Sequence, residues 1–492
     1  MVYMYDVLII GGGVIGCSIA RELSKYCLKV CLVEKNNDIA SGSSRANSAI
    51  VHAGYDCRVG SLMAELNVKG NQMYTQVCSE LDVPFKQVGS FVLAFNGEEE
   101  QELLHLYHQG QENNVPGLQI ISQKEIHLLE PRISKNVIAA LWAPTGGITC
   151  PYELTIAFAE SAAMNGIDIY LDYEVTNIVH HHDKGFMIYN KNRCLSSTYI
   201  INAAGLYCDL ISSILHAEEF KITARKGEYL LLDHSEGEII QKVLFQTPGP
   251  MGKGVLVTPT VDGNLLIGPT AKDQDDKEDT STTDQGIDDI KKLSKISVPD
   301  IDLSKVITSF AGIRAVSSTG DFIIQPSYKI DGLIQVAGIC SPGLTSAPAI
   351  AVMVVGILRS KGLVLEANAA YRPYRKRMKP FKMMNLEERQ QAIKTNPAYG
   401  HIICRCEMVS EAEILSALHG FVPAESIDGI KRRTRAGMGR CQGGFCSTKI
   451  MEIIAKEKNI TLSEIVKSEN QSWIVNNKIK EGKETFYDDT CD

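Results

Sequence analysis

Short apolar runs, each closing on glycine or on small polar residues, set the rhythm of this chain. Residues 7–10 are an apolar run of strand length, 11–16 a glycine turn and 14–25 a helical stretch. Residues 29–33 read as the second strand, closing at Glu34, which completes a β-α-β unit of the usual size. Residues 41–54, SGSSRANSAIVHAG, are small and polar, as a loop over a bound molecule would be. Leu62–Leu81 carries helical spacing and 90–95 is extended. Ser122 and Glu125 form a capping-box pattern ahead of another helix, and Pro151 opens a helix through Met164. Strands are expected at 167–171, 174–179, 186–189 and 199–203, the last running into Ala204 and Gly205. Residues 225–232 and 255–257 read as strands of a second sheet.

Further on, 337–358 is apolar enough to suggest a membrane crossing, but Ser341, Pro342, Thr345 and Pro348 interrupt it. A glycine turn feeding a buried helix is expected there. Residues 271–285 read as an acidic surface loop, and 372–380, RPYRKRMKP, as a basic, proline-flanked linker. Helices are expected from Ser410 to about Leu418, over 426–433 and over 447–456, with a polar, loosely ordered stretch after Asn470. His180, His181 and His182 sit at a hairpin. Neighbouring side chains point to opposite faces there, so a solvated turn is expected and not a metal site.

Composition narrows the class. The 492 residues allow about three domains at roughly 150 residues each. A net charge of −8 implies no broad cationic surface, so nucleic acid is not an expected partner. Fourteen cysteines in a chain this long fit reduced thiols and one metal site better than a secreted disulfide framework. The first apolar run is short and leads straight into glycines, so it reads as a strand and not a secretory signal. A cytoplasmic location, with peripheral membrane contact as a variant, is the expectation.

Two constellations carry chemistry. The first is Gly11-x-Gly13-x-x-Gly16, with Val14 and Ile15 opening the helix and Glu34 placed 18 residues beyond Gly16. Gly11 makes the turn, Gly13 lets the backbone approach a pyrophosphate, and Gly16 permits close helix packing. The helix N-terminus favours phosphate, and Glu34 suits ribose hydroxyls. This fingerprint alone leaves NAD and FAD open. IINAAG at 200–205 and AGICSPGLTSA at 337–347 favour FAD, since a helix start there suits negative charge on a reduced flavin ring. The second is Cys404-x-Cys406, then 34 residues, then Cys441-x4-Cys446. Four soft thiolates select zinc or an iron–sulfur cluster, and Gly437, Gly439, Gly443 and Gly444 supply the flexible backbone that such clusters need around their sulfurs. Arg432, Arg433, Arg435 and Arg440 form a basic group beside it that could offset cluster charge, dock an acidic partner or face solvent.

GGGVIG with Glu34, then NSAIVHAGYD, INAAG, AGIRAV and GICSPGLTSAPAIA in that order, resembles the D-amino-acid-oxidase-like FAD oxidoreductases over roughly residues 5–360. Within that family the pattern is most similar to the FAD-dependent glycerol-3-phosphate dehydrogenases and oxidases. The L-2-hydroxyglutarate oxidases share much of it. Residues 398–456 resemble the [2Fe-2S] domain of bacterioferritin-associated ferredoxin, with Cys-x4-Cys here in place of that protein's Cys-x2-Cys.

The resemblance implies an α/β plus α+β architecture. A Rossmann-like FAD-binding domain would comprise 1–80, 145–215 and 305–365. An antiparallel-sheet substrate domain would comprise 81–144 and 216–304. A linker over 366–397, a small helical [2Fe-2S] domain over 398–456 and an extension over 457–492 complete the chain.

It also implies a set of site residues. His52 would lie beside the flavin, where a neutral imidazole can take a hydroxyl proton; a histidyl–flavin bond is a variant. Arg314 would clamp a phosphate or carboxylate, Lys253 would add a second cation, and Ser341 would touch substrate. Candidate cofactor contacts are Gly11, Gly13, Val14, Ile15, Gly16, Glu34, Lys35, Ser43, Ser48, Ala204, Gly205, Gly338, Gly343, Leu344 and Thr345, and candidate metal ligands are Cys404, Cys406, Cys441 and Cys446. The implied reaction is oxidation of sn-glycerol 3-phosphate to dihydroxyacetone phosphate. Electrons would leave through the cluster to an acceptor, a second flavoprotein among the candidates. An L-2-hydroxy or amino acid as substrate, and an electron-transfer subunit reduced by a partner, are the alternatives.

Overall fold

The computed structural model describes residues 4–182, 184–248 and 254–476. Two units emerge from how the chain packs. One runs through Lys35 and from Ile39 to Arg377; the other takes Asn36–Asp38 and the chain from Met378 onward.

The first unit contains two large sheets. Met4–Ile10 is buried along nearly its whole length because it is central. It pairs in parallel with Val30–Val33 on one side and Cys194–Asn202 on the other. Asp168–Tyr170 extends the sheet beyond Val30–Val33, and Leu333–Ala337 extends it beyond Asn202, again in parallel. Strands buried on both faces read as continuous apolar runs, which is why their sequence lacks alternation. The helix Val14–Leu23 packs here against both Pro151–Met164 and Gly343–Ser360. The apolar run at 337–358 is thus the strand Leu333–Ala337, a turn and a helix with 61% of its residues buried. The hairpin Asn177–His181 with Gly185–Tyr189 joins the lower half of Cys194–Asn202. The strand expected at 174–179 therefore starts later than its apolar pattern suggested. His182 follows in the turn, and His180 stacks on Phe186 at 4.6 Å between ring centroids.

The second sheet has nine strands. Its spine is Ile222–Leu232, paired along its full length with Val306–Ser317. Leu265–Gly268, Leu256–Pro259, Val243–Gln246, Ser90–Ala94, Ala139–Ala143 and Gln119–Ser122 continue outward. All pairs are antiparallel except Val243–Gln246 with Ser90–Ala94. Phe91, Leu230, Val257 and Ile267 lie in its core. One boundary differs from the sequence expectation: residues 306–317, expected in the FAD-binding part, are a strand of this sheet. The acidic stretch 271–285 is not a free loop. It contains the edge strand Lys272–Gln274, and Lys277 and Asp279 bond Asp209 and Lys226 at 2.8 and 2.7 Å.

The C-terminal unit has its own core, built from Ile414, Leu418, Ile430, Ile450 and Ile454. Its helices are Leu386–Thr395, Glu411–Leu418, Ile427–Thr434 and Ser447–Lys458. The first of these lies inside the stretch expected to be linker, and Asn385 caps it through a capping box with Glu388. Asp38 is fully buried in this unit, between Arg432 at 2.6 Å and Arg433 at 2.8 Å. Burial pushes its carboxyl up, but the two guanidinium groups outweigh that and hold it below the usual range. The basic group seen in the sequence is therefore largely consumed within the fold, since Arg435 likewise pairs with buried Glu407 at 2.9 Å.

Candidate active site and cluster site

The glycine fingerprint forms a cradle. Gly11 sits at φ +114°, and a Cβ there would come within 2.4 Å of the Ala203 carbonyl oxygen. A Cβ on Gly16 would meet the Gly11 carbonyl oxygen at 2.0 Å. Both positions need glycine for close backbone approach. Gly13 takes the N-cap position of Val14–Leu23 without a side-chain cap. The Val14 N–H instead donates at 2.9 Å to Ser44 Oγ, which lies between the expected contacts Ser43 and Ser48 and carries no sequence signal of its own. Glu34 accepts from the Gly12 N–H at 2.6 Å. A glycine at the helix N-cap, an acid at the next strand end and a cradle that Cβ atoms would fill fit a dinucleotide.

The other expected cofactor contacts fall into groups. Ser43 Oγ donates to the Ile313 carbonyl, and Ser48 Oγ lies 3.2 Å from the Tyr229 hydroxyl, so the small-residue loop packs against the second sheet. Lys35 is engaged elsewhere: its Nζ pairs with Glu278 at 3.0 Å and lies over the Tyr207 ring. Gly205 and Gly338 take positive φ at the ends of their strands. Gly343 opens the helix Gly343–Ser360, Tyr74 donates to the Leu344 carbonyl, and Gly70 lies so close that a Cβ would meet the Thr345 carbonyl oxygen at 2.1 Å.

His52 follows the short strand Ile50–Val51 and is held at four points. Its N–H donates to Thr345 Oγ1 at 2.9 Å, and its carbonyl accepts from Asn71 Nδ2 at 3.1 Å. The ring stacks on Phe245 at 5.8 Å, and Nε2 lies 3.3 Å from Ser341 Oγ. The expected pair His52 and Ser341 is therefore brought together. Asn71 and Phe245 have no local sequence signal, because their role arises only when a helix and a strand from distant parts of the chain meet at His52.

Arg314 is half-buried on Val306–Ser317. Its Nη2 donates to the Thr270 carbonyl at 3.3 Å, and it pairs with no carboxylate among the described residues. Gly312 lies two residues earlier on the same strand face, where a Cβ would meet the Ala46 carbonyl oxygen at 1.8 Å. The Arg314 face thus packs on the loop that leads to His52. Arg225 stands directly across from Arg314 in the register, but Asp273 holds it at 2.6 and 3.0 Å. Lys253, expected as a second cation, lies outside the described residues.

In the C-terminal unit the four cysteines converge. Cys406 Sγ lies 3.7 Å from Cys404 Sγ and 3.8 Å from Cys441 Sγ. Hydrogen bonding from Cys446 holds the Cys404 thiol down to about 5, helped by the Gly437 and Glu407 N–H groups and opposed by burial. Cys406 is pushed up to about 12 by burial and by the neighbouring Cys404. Protons crowded between these sulfurs are what a metal centre would displace. Gly439 is required here, since a Cβ would lie 2.5 Å from Cys406 Sγ. Among the described residues no three histidine, cysteine or carboxylate side chains are arranged to hold one metal ion.

Comparison with known proteins agrees with both sites. The family model described as FAD dependent oxidoreductase matches residues 6–356, and that of the BFD-like [2Fe-2S] binding domain matches residues 402–456. A protein of Caloramator mitchellensis named glycerol 3-phosphate dehydrogenase is 47% identical over 97% of this chain and 99% of its own length. The glycerol 3-phosphate oxidase of Mycoplasma genitalium is 37% identical over 72% of this chain and 95% of its own length. The structure of dithionite-reduced L-α-glycerophosphate oxidase from Mycoplasma pneumoniae, with FAD bound, superposes with a TM-score of 0.72 at 33% identity. It covers 77% of this chain and 100% of the oxidase.

Proposed function

The chain belongs to the FAD-dependent oxidoreductase family, and from that premise we propose that it oxidises sn-glycerol 3-phosphate to dihydroxyacetone phosphate and passes the electrons on through a [2Fe-2S] centre. The likeness across both domains to a relative named for this substrate carries the reading. A half-buried guanidinium without a carboxylate partner among the described residues supports it, because the substrate is an anion.

When bound, FAD supplies the acceptor for the hydride that leaves the substrate's secondary carbon. The chain's own residues do the rest. Arg314 binds the phosphate in two hydrogen bonds and fixes the distance from anion to reacting carbon. His52 takes the hydroxyl proton; Ser341, Phe245, Thr345 and Asn71 fix its ring and backbone. The Gly343–Ser360 helix start directs its partial positive charge toward the turn at 338–343. Cys404, Cys406, Cys441 and Cys446 would hold the cluster, which supplies one-electron transfer.

Anaerobic titration of the purified protein with glycerol 3-phosphate, followed by absorbance, tests the substrate. The flavin band should bleach fully between about one and one and a half equivalents of substrate per FAD, because each substrate gives two electrons, FAD takes two and the cluster one. Bleaching by L-2-hydroxyglutarate and not by glycerol 3-phosphate would transfer the assignment to a 2-hydroxy acid. No bleaching by either would favour a subunit reduced by a partner.

A further inference from the structure

The four cluster cysteines are unequal. Cys404 and Cys446 are buried, while Cys406 is exposed and Cys441 partly so. Two apolar side chains on the ligand loops stay out of the unit's own core. Phe445, between Gly444 and Cys446, is 83% exposed, and Met408 is 39% exposed. An aromatic ring left this open contributes little to folding, and beside a cluster ligand it is placed to serve as a contact anchor.

Charge sharpens the picture. The ionic side chains in residues 404–408 and 436–449 are Arg405, Glu407, Arg440 and Lys449. Glu407 is buried and paired with Arg435 at 2.9 Å and Lys382 at 3.4 Å. Arg405, Arg440 and Lys449 are exposed. The exposed charges of the two ligand loops, Arg405 and Arg440, and Lys449 in the first turn of the helix Ser447–Lys458 are therefore positive, on a chain whose net charge is −8.

We infer that this rim is the docking face for a small acidic one-electron carrier protein. The inference rests on the reading that electrons leave through the cluster. The carrier's carboxylates meet Arg405, Arg440 and Lys449, which steer the encounter, and Phe445 is the apolar anchor at its centre. A basic carrier meets like charges and is rejected. An anionic lipid surface would also attract cations and an aromatic, but these side chains lie within three residues of cluster ligands, where a redox partner needs them. Oxidation of one glycerol 3-phosphate releases two electrons and two protons. Two carrier molecules are reduced by one electron each, and the protons pass to solvent.

Holoenzyme purified without oxygen is titrated with an oxidised acidic [2Fe-2S] ferredoxin, and separately with basic cytochrome c, at several salt concentrations. Binding is read calorimetrically. Wild-type protein should bind the ferredoxin, and less tightly as salt rises. Phe445→Ala should weaken binding about tenfold or more. Lys449→Glu, beyond the ligand loop, should weaken it and flatten the salt dependence. The visible spectrum of each variant reports that the cluster is present. Equal ferredoxin affinity in wild type and both variants overturns the proposal. So does stronger binding of cytochrome c, or sedimentation with phosphatidylserine vesicles without ferredoxin binding. Flavin reduction by glycerol 3-phosphate in the same samples tests the underlying reading separately. If it fails while the binding pattern holds, the substrate assignment falls and the docking face stands.

Discussion

In the proposed reaction, substrate recognition turns on Arg314. Its side chain is half-buried, donates to one neutral carbonyl and meets no acid among the described residues. A cation so placed is costly without an anion, whereas its cross-strand neighbour Arg225 is neutralised by Asp273. Arg314→Ala should therefore raise KM for glycerol 3-phosphate by about 10- to 100-fold, the scale of one charge-assisted pair. Arg314→Lys should recover part of that loss, because a point charge replaces a fork. Stopped-flow flavin reduction at varied substrate concentration measures both, and an unchanged KM in Arg314→Ala would remove Arg314 from the anion site. The four cysteines were legible as a group because their spacing is itself a motif, and the structure brings their sulfurs together. His52 and Arg314 were reached through the family resemblance, and their roles belong to the proposal. Asp38, Ser44, Asn71 and Phe245 were not legible. Asp38 is an unremarkable acid until Arg432 and Arg433, nearly four hundred positions on, close around it.

Elements show the same division. Leu62–Leu81 and Pro151–Met164 were readable to the residue because a cap, a proline and helical periodicity act within one turn. Sheet membership was not. Val306–Ser317 has the composition of any buried strand, and only its pairing with Ile222–Leu232 reveals which sheet it serves. That pairing has a consequence at Gly312, which faces Gly227 in the register and lies against the Ala46 carbonyl. A Cβ at 1.8 Å from that oxygen cannot be accommodated by a side-chain rotation, so the backbone of the loop or the strand must move. Gly312→Ala should cost about 1–3 kcal/mol of stability, the usual range for overpacking. It should also lower FAD retention, because the displaced loop carries Ser44, which engages the Val14 N–H at the helix start. Thermal melting and the flavin-to-protein absorbance ratio after gel filtration measure the two effects. A variant that melts normally and keeps full FAD would show that the loop yields freely.

At the scale of the whole molecule, one chain carries two units with separate hydrophobic cores and separate redox chemistry. Their order along the sequence was legible from the two motifs. The end of the first unit was less so, because the basic stretch at 372–380 does not behave as free linker: Arg375 pairs with Glu160, and Arg377 with Glu153. Two cores allow the two half-reactions to be separated by mutation. Cys404 is buried in the C-terminal core and carries the lowered thiol, so it is the ligand whose loss should most disturb the cluster. It belongs to a different unit from the glycine cradle and His52. Cys404→Ser should therefore reduce electron delivery to a one-electron acceptor by about tenfold or more, the scale on which even outer-shell changes alter a metal site. Flavin reduction by glycerol 3-phosphate should change far less. Stopped-flow absorbance separates the two rates, and electron paramagnetic resonance of the reduced protein reports whether the cluster is still present. If the cluster signal is lost while delivery to the acceptor keeps its wild-type rate, the cysteines serve the fold of the C-terminal unit and electrons leave by another route.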